Sequence, residues 1–159
     1  MEKTRTYAAF KKSPEPSLKV TSYFEVYDHL FKDFQNKPIT FVEIGILNGG
    51  SLFMWREFFG EKARIIGVDL NPKAKKWEKD GFEIYIGNQA DPSFWNDFKL
   101  KVGSIDILID DGGHTYPQQI ITTESILDII NDGGILAIED THTSYAEGYG
   151  RKEYNFIQY

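Results

Sequence analysis

Two short runs concentrate side chains able to do chemistry: Asp110-Asp111-Gly112-Gly113-His114 and Glu139-Asp140-Thr141-His142. If they end neighbouring strands about 4.8 Å apart, Asp111, Glu139 and Asp140 can turn their oxygens toward one point. Acids that close repel one another unless they are protonated or bridged by a cation. An all-oxygen ligand set suits a hard divalent ion such as Mg2+ better than zinc. The competing structural reading makes Asp111 a cap for a helix starting near Thr115, and Asp140 a solvated turn residue.

A second group lies earlier in the chain. Glu43-Ile44-Gly45-Ile46-Leu47-Asn48-Gly49-Gly50-Ser51 follows a strand and opens a helix, so its glycines allow a sharp turn and let a ligand approach main-chain N–H groups. Some twenty residues on, Gly67-Val68-Asp69 places a carboxylate at the next strand end, where it could accept hydrogen bonds from ribose hydroxyls. The competing structural reading makes Asp69 a helix cap or turn residue ahead of Asn71-Pro72. After a third strand, Gly87-Asn88-Gln89-Ala90-Asp91 offers amides to an adenine edge, although Asp91 serves as well as a helix cap. Together these features point to a nucleoside-containing cofactor. Gly45 and Gly49 are separated by three residues rather than one, unlike a dinucleotide fingerprint. Glu43 beside them would repel a diphosphate but suit a positively charged cofactor such as S-adenosylmethionine.

These groups need a scaffold that brings strand ends together. From residue 39 onward, short apolar runs alternate with amphipathic segments, the pattern of βα units stacked into a parallel sheet. Strands are expected at 39–44, 64–68, 82–86, 105–109 and 135–138, rich in β-branched and aromatic residues as strands covered on both faces are. Helices are expected at 51–59 and 73–79 and from Asp91-Pro92 onward. A further one is capped by Thr115 with Pro117 in its first turn; Ile120, Leu127 and Ile130 line one face and 131–134 end it. Ahead of the sheet, Phe24, Tyr27, Leu30, Phe31 and Phe34 share a helix face that Pro38 closes. Residues 1–20 show no sustained period and read as an arm. Residues 21–145 form the cofactor-binding domain, and 146–159 a C-terminal loop or truncated segment. Trp55, Phe58, Phe59, Phe94 and Trp95 are expected in the core, and His29 at a surface or helix-packing position.

Composition narrows the function classes. The chain has 159 residues, 18 basic against 24 acidic, a net charge of -6 and no cysteine. That excludes disulfides and thiolate metal sites. Scattered lysines provide no basic stripe for a nucleic-acid backbone. The apolar runs fall far short of the roughly 20 residues that cross a bilayer, and the N-terminus lacks a signal-peptide core. A cytoplasmic protein with no membrane or nucleic-acid partner is expected.

The ordered series FVEIG at 41–45, GGSLFMW at 49–55, IGVD at 66–69, GNQAD at 87–91, ILIDDGGH at 107–114 and GGILAIEDTHTSY at 133–145 resembles class I S-adenosylmethionine-dependent O-methyltransferases. The nearest branch is the Mg2+-dependent one of macrolide-sugar methyltransferases of the mycinamicin VI 2''-O-methyltransferase type, with cephalosporin-hydroxylase-like proteins as relatives. YFEVYDHLF at 23–31 resembles the family's leading helix, and the match runs over 22–145.

The resemblance implies a Rossmann-like α/β sheet in the order 3-2-1-4-5. It places Glu43, Gly45, Gly49 and Ser51 around the methionine and ribose of the donor, Asp69 on the ribose, Asn88 and Gln89 near adenine, and Asp110 beside the cofactor. Asp111, Glu139 and Asp140 would hold the metal and His114 would be the base, with Asp111 also in the catalytic set and His142 a competing base. Asn88 stands where aspartate is usual, and Gly113 where serine is common. The implied activity is methylation of a sugar or glycoside hydroxyl. By position, Thr143, Tyr145 and Tyr149 follow the acidic run, where loop aromatics could stack on a sugar ring. The helix and antiparallel strand pair that usually follow strand five are missing from this sequence. Either a truncated chain or a covering partner subunit, such as a second copy, is therefore expected, and a catalytically silent cofactor-binding module is the alternative.

Overall fold

The computed structural model describes residues 4–150 and 154–159. Five parallel strands, β1 (Thr40–Ile44), β2 (Arg64–Asp69), β3 (Glu83–Ile86), β4 (Ile105–Asp110) and β5 (Ile130–Ile138), form one sheet in the order β3-β2-β1-β4-β5. This is the implied order, and it puts the ends of β1 and β4 side by side with a switch in winding direction between them, where open α/β sheets bind ligands.

Helices α1 (Arg5–Lys12), α2 (Tyr23–Phe31), α3 (Gly50–Phe59), α4 (Pro92–Val102) and α5 (Tyr116–Ile126) cover both faces. Alternation along β1 decides what each face receives. Phe41 enters the core with Phe24, Tyr27, Phe31, Trp55 and Phe59, while Val42 and Ile44 enter the opposite core with Trp95, Phe98 and Leu108. The same alternation turns Glu43 toward the α2–α3 side, where it is fully buried. Trp55, Phe58, Phe59 and Trp95 are core residues as expected, with Phe94 packed against the cluster that holds Trp95.

Three local expectations change. The first twenty residues are not a featureless arm, because α1 lies within them. Its N-terminus is held by a side chain from another helix: Asp28 of α2 accepts from the Arg5 and Thr6 backbone N–H groups at 2.7 and 2.8 Å, which satisfies otherwise orphaned donors and complements the positive helix end. Second, residues 131–134 do not end a helix. α5 stops at Ile126, and β5 pairs Ile130 with Ile105 before resuming at Ile135 opposite Ile107, so Asn131-Asp132-Gly133-Gly134 is an excursion inside a strand. Third, the segment at Pro72–Asp80 is a series of 3-10 turns capped by Asn71.

Beyond α1 the chain runs extended over the start of α3. Ser13, Glu15, Ser17 and Lys19 turn inward while Pro14, Pro16, Leu18 and Val20 face out. The strap lies so close that a Cβ on Gly50 would fall 2.3 Å from the Glu15 carbonyl oxygen. β5 forms one edge of the sheet, and among the described residues no strand follows it. No helix among the described residues is long and apolar enough to cross a membrane.

Candidate functional site

The carboxyl ends of the strands open into two adjoining cavities that share Gly45, Leu47 and Gly112. One, of about 470 Å³, is lined by Asp111, His114, Glu139 and Asp140 under the Leu18-Lys19-Val20 strap. The other, of about 200 Å³, lies among Asp69, Asn88, Gln89 and Gln118. Gly45 sets their common wall: its φ is +83°, and a Cβ there would sit 2.2 Å from the Asp111 carbonyl oxygen. Only a glycine lets the loop after β1 pass this close to the loop after β4.

In the larger cavity Asp111, His114 and Asp140 each bring one ligand atom within 4.8 Å of the others. Nε2 of His114 stands 3.6 Å from Asp140 Oδ2 and 3.9 Å from Asp111 Oδ1, and its Nδ1 is buried with no hydrogen-bond partner. Both His114 and Asp140 have positive φ, 57° and 54°. Non-glycine residues in that region carry backbone strain that surrounding structure must hold, a feature that clusters at functional sites. His142 sits on the exposed rim, 3.9 Å from Asp140.

An Mg2+ ion takes oxygen ligands at 2.0–2.1 Å, so opposite ligands stand about 4.2 Å apart. Asp111 and Asp140 could hold such an ion after a small inward adjustment. Glu139 is differently placed. Its Oε1 accepts from the Tyr27 hydroxyl and lies 3.4 Å from Lys19 Nζ, leaving Oε2 for any ligand. Burial pushes Glu139 up to about 7, against the pull of Lys19. The structure thus joins His114 to Asp111 and Asp140 and sets Glu139 one layer back.

Lys19 is the residue that sequence reasoning missed. Its side chain is 1% exposed, with Nζ 2.7 Å from Asp111, 3.1 Å from Glu43 and 3.4 Å from Glu139. Burial opposes its charge, yet Glu43, Glu139 and Asp111 overcome this and lift Lys19 well above the usual lysine value. The inward-polar, outward-apolar alternation of the strap is the one signal that could have flagged it.

Several expected donor contacts are engaged inside the protein. Glu43 accepts from Ser51 Oγ at 2.5 Å and Trp55 Nε1 at 3.1 Å, and the cation it faces is Lys19. Asp110 is buried and raised by that burial; Gln89 donates to both its oxygens at 2.9 Å while accepting from the Gly113 N–H. Gln89 therefore braces the loop after β4 instead of presenting its amide to a ligand. Asn88 is exposed, with its Oδ1 accepting from Ala90 N, and Asp91 caps α4 through Ser93. Asp69 faces the smaller cavity, but Oδ2 already accepts from Ile46 and Leu47 N–H at 3.1 and 3.2 Å and Oδ1 from Asn71 N–H. Each oxygen retains further acceptor capacity. Gly49 and Ser51 are buried at the entry to α3. Thr143 is buried, while Tyr145 and Tyr149 lie at the surface loop.

Comparison with known proteins gives the family. The chain is 35% identical over 132 residues to 8-demethyl-8-(2-methoxy-alpha-L-rhamnosyl)-tetracenomycin-C 3'-O-methyltransferase of Streptomyces olivaceus, covering 79% of this chain and 33% of that protein. It is 33% identical over 131 residues to mycinamicin VI 2''-O-methyltransferase of Micromonospora griseorubida, covering 78% and 32%. The solved structure of MycE methyltransferase from the mycinamycin biosynthetic pathway, in complex with Mg and SAH, superposes with a TM-score of 0.83 at 28% identity over 95% of this chain and 43% of that one. The chain spans about a third of the length of these curated relatives. Residues 42–141 match the family described as a methyltransferase domain, and the chain belongs to that family.

Proposed function

We propose that this chain is the donor-binding and catalytic domain of an S-adenosylmethionine- and Mg2+-dependent O-methyltransferase acting on a hydroxyl of a sugar or glycoside. The observation that carries this reading is the convergence of Asp111, His114 and Asp140 within 4.8 Å in a cavity that shares a wall with a nucleoside-sized one. The relatives named above are O-methyltransferases by name, one of them of a rhamnosyl-tetracenomycin, and MycE has been crystallised with Mg, SAH and Mycinamycin VI.

In this reading the adenosine lies in the smaller cavity, with the ribose on the free lone pairs of Asp69 and the adenine near Asn88. The methionine part passes Gly45 into the larger one. Asp111 and Asp140 hold the metal, with Oε2 of Glu139 as a further oxygen. When bound, the ion fixes the acceptor hydroxyl and makes its proton easier to lose. His114 Nε2 faces the same space. Since a hard ion prefers oxygen, the imidazole stays free to take the proton. As the acceptor oxygen forms its bond to the methyl carbon, the carbon–sulfur bond of the sulfonium breaks and its electron pair stays on sulfur as the neutral thioether. Leu18, Val20 and Leu47, all exposed around the opening, give the acceptor an apolar rim.

One observation favours the alternative of a silent cofactor-binding module: an ammonium already sits among the acids. Calorimetric titration with S-adenosylhomocysteine, with and without Mg2+, tests both. The enzyme reading expects nucleoside binding, together with Mg2+ binding lost in Asp111→Asn and methyl transfer to a glycoside lost in His114→Ala. Nucleoside binding with neither Mg2+ binding nor transfer would leave the module, and binding of NAD in its place would defeat both.

A further inference from the structure

Tyr23 and Tyr27 lie one turn apart on α2, and Lys19 stands four residues before Tyr23 on the extended strap that leads into it. Each reaches an acid of the cleft: Lys19 Nζ contacts Asp111 and Glu139, Tyr23 donates to Asp140 Oδ1 at 3.0 Å, and Tyr27 donates to Glu139. Outer groups of this kind orient metal-binding carboxylates and tune what they bind. Lys19 differs from the tyrosines in carrying charge. It neutralises part of the buried anionic cluster and engages Oδ2 of Asp111 and Oε1 of Glu139, so the oxygens left to the cavity are Asp111 Oδ1, Glu139 Oε2 and Asp140 Oδ2.

We propose that Lys19 is a positioning residue that serves as the cleft's built-in cation, sharing Asp111 and Glu139 with a divalent ion and competing with it for them. Two features support this. The ammonium is as buried as the Glu43 it pairs with, so its charge is screened by protein and not by water, and like-charged ions at this range interact strongly. The strap that delivers it is packed onto Gly50 and tied by Ser13 Oγ to the Gly50 carbonyl at 2.9 Å, so Lys19 is delivered from an anchored segment. A divalent ion brought between Asp111 and Glu139 must either push Nζ toward Glu43 or accept a weakened field. The cleft is therefore tuned to bind its ion loosely, and removal of the ammonium should tighten binding.

The inference rests on the metal-binding part of the proposed function, and the test separates the two. Mn2+ and Mg2+ are titrated calorimetrically, without methyl donor, into the parental chain and Lys19→Met, and melting is followed in chelator and in millimolar Mg2+. The expected result is Mn2+ affinity at least tenfold higher in Lys19→Met, with a melting temperature that falls in chelator and recovers with metal. A merely structural lysine would lower stability and leave metal affinity equal or weaker, and that outcome overturns the proposal. If Lys19→Met does not fold, the parental protein decides: Mg2+ should shift the nitrogen NMR signal of the buried Lys19 ammonium, and an unchanged signal at saturating metal refutes the sharing. If the parental chain binds neither ion while binding S-adenosylhomocysteine, the metal reading falls together with this one, and the donor reading stands.

Discussion

Glu43→Gln separates a ligand-contacting acid from a structural anion. Glu43 is completely buried and meets three donors: Ser51 Oγ at 2.5 Å, Trp55 Nε1 at 3.1 Å and Lys19 Nζ at 3.1 Å. Glutamine has the same shape but a single acceptor oxygen, while indole and ammonium can only donate. With its oxygen toward Trp55 and Lys19, which share Oε1 of Glu43, the amide nitrogen can donate to the Ser51 hydroxyl, so what is lost is the carboxylate charge opposite Lys19. A charge-assisted hydrogen bond is worth about 1.5–3 kcal/mol, and breaking a buried ion pair costs about 3–5 kcal/mol. Lys19 retains Asp111 and Glu139, so the lower end applies, and a loss of about 3 kcal/mol is expected out of a total of about 5–15 kcal/mol. With a urea slope of about 2 kcal/mol per molar, the unfolding midpoint should fall by about 1.5 M. Urea titrations followed by circular dichroism measure this directly, and the double variant Glu43→Gln, Lys19→Met should show coupling of about 1–3 kcal/mol. A midpoint shift below about 0.3 M, with S-adenosylhomocysteine affinity lost, would refute the argument and return Glu43 to the ligand.

Other perturbations follow from particular contacts. Gly45→Ala adds a methyl 2.2 Å from the Asp111 carbonyl oxygen at a φ of +83°. It should separate the loops after β1 and β4 and lower S-adenosylhomocysteine affinity at least tenfold with the far-ultraviolet spectrum retained; parental affinity would show that the close approach is irrelevant. Tyr116→Phe removes a hydroxyl that donates to the carbonyls of Thr143 and Ala146 at 3.2 and 3.0 Å. Stability should drop by about 1 kcal/mol, with faster amide exchange over 143–149; exchange unchanged there would exclude the tyrosine as the loop's anchor. Arg64 and Glu83 pair across β2 and β3 through two contacts of 2.6 Å, and the hydrogen bonds from Arg64 hold Glu83 below the ordinary glutamate range. A depressed carboxylate adds stability above its unfolded value, near pH 4.5, that is lost as pH falls through the folded one. Glu83→Gln should flatten the acid limb of the stability curve below about pH 4.5 by about 0.5–1 kcal/mol, the pair being partly exposed. An identical limb would leave the pair without energetic effect.

Much of the candidate site was legible in the sequence. β-branched runs spaced by amphipathic segments specify parallel strands, and parallel strands put chemistry at their carboxyl ends. Asp69, Asp111, His114 and Asp140 could therefore be singled out by following each strand to its end. The Gly45 turn was equally readable, because a glycine after a buried strand marks a tight approach. Local composition failed where a contact depends on distant chain. Asp28 holds α1 from twenty-two residues away, and the 131–134 turn motif sits inside a strand because β4 pairs on either side of it.

What the sequence determined by itself was the periodicity of the elements, and through it which side chains reach the strand ends. Tertiary structure alone decided which of those side chains stay available. Gln89 turned inward to brace Asp110, Glu43 was sealed against Trp55, and an oxygen of Glu139 went to Tyr27. Lys19 entered the cleft from ninety-two residues before Asp111. A buried charge is held by whatever opposite charge packing brings within reach, and no local pattern along the chain encodes that partner.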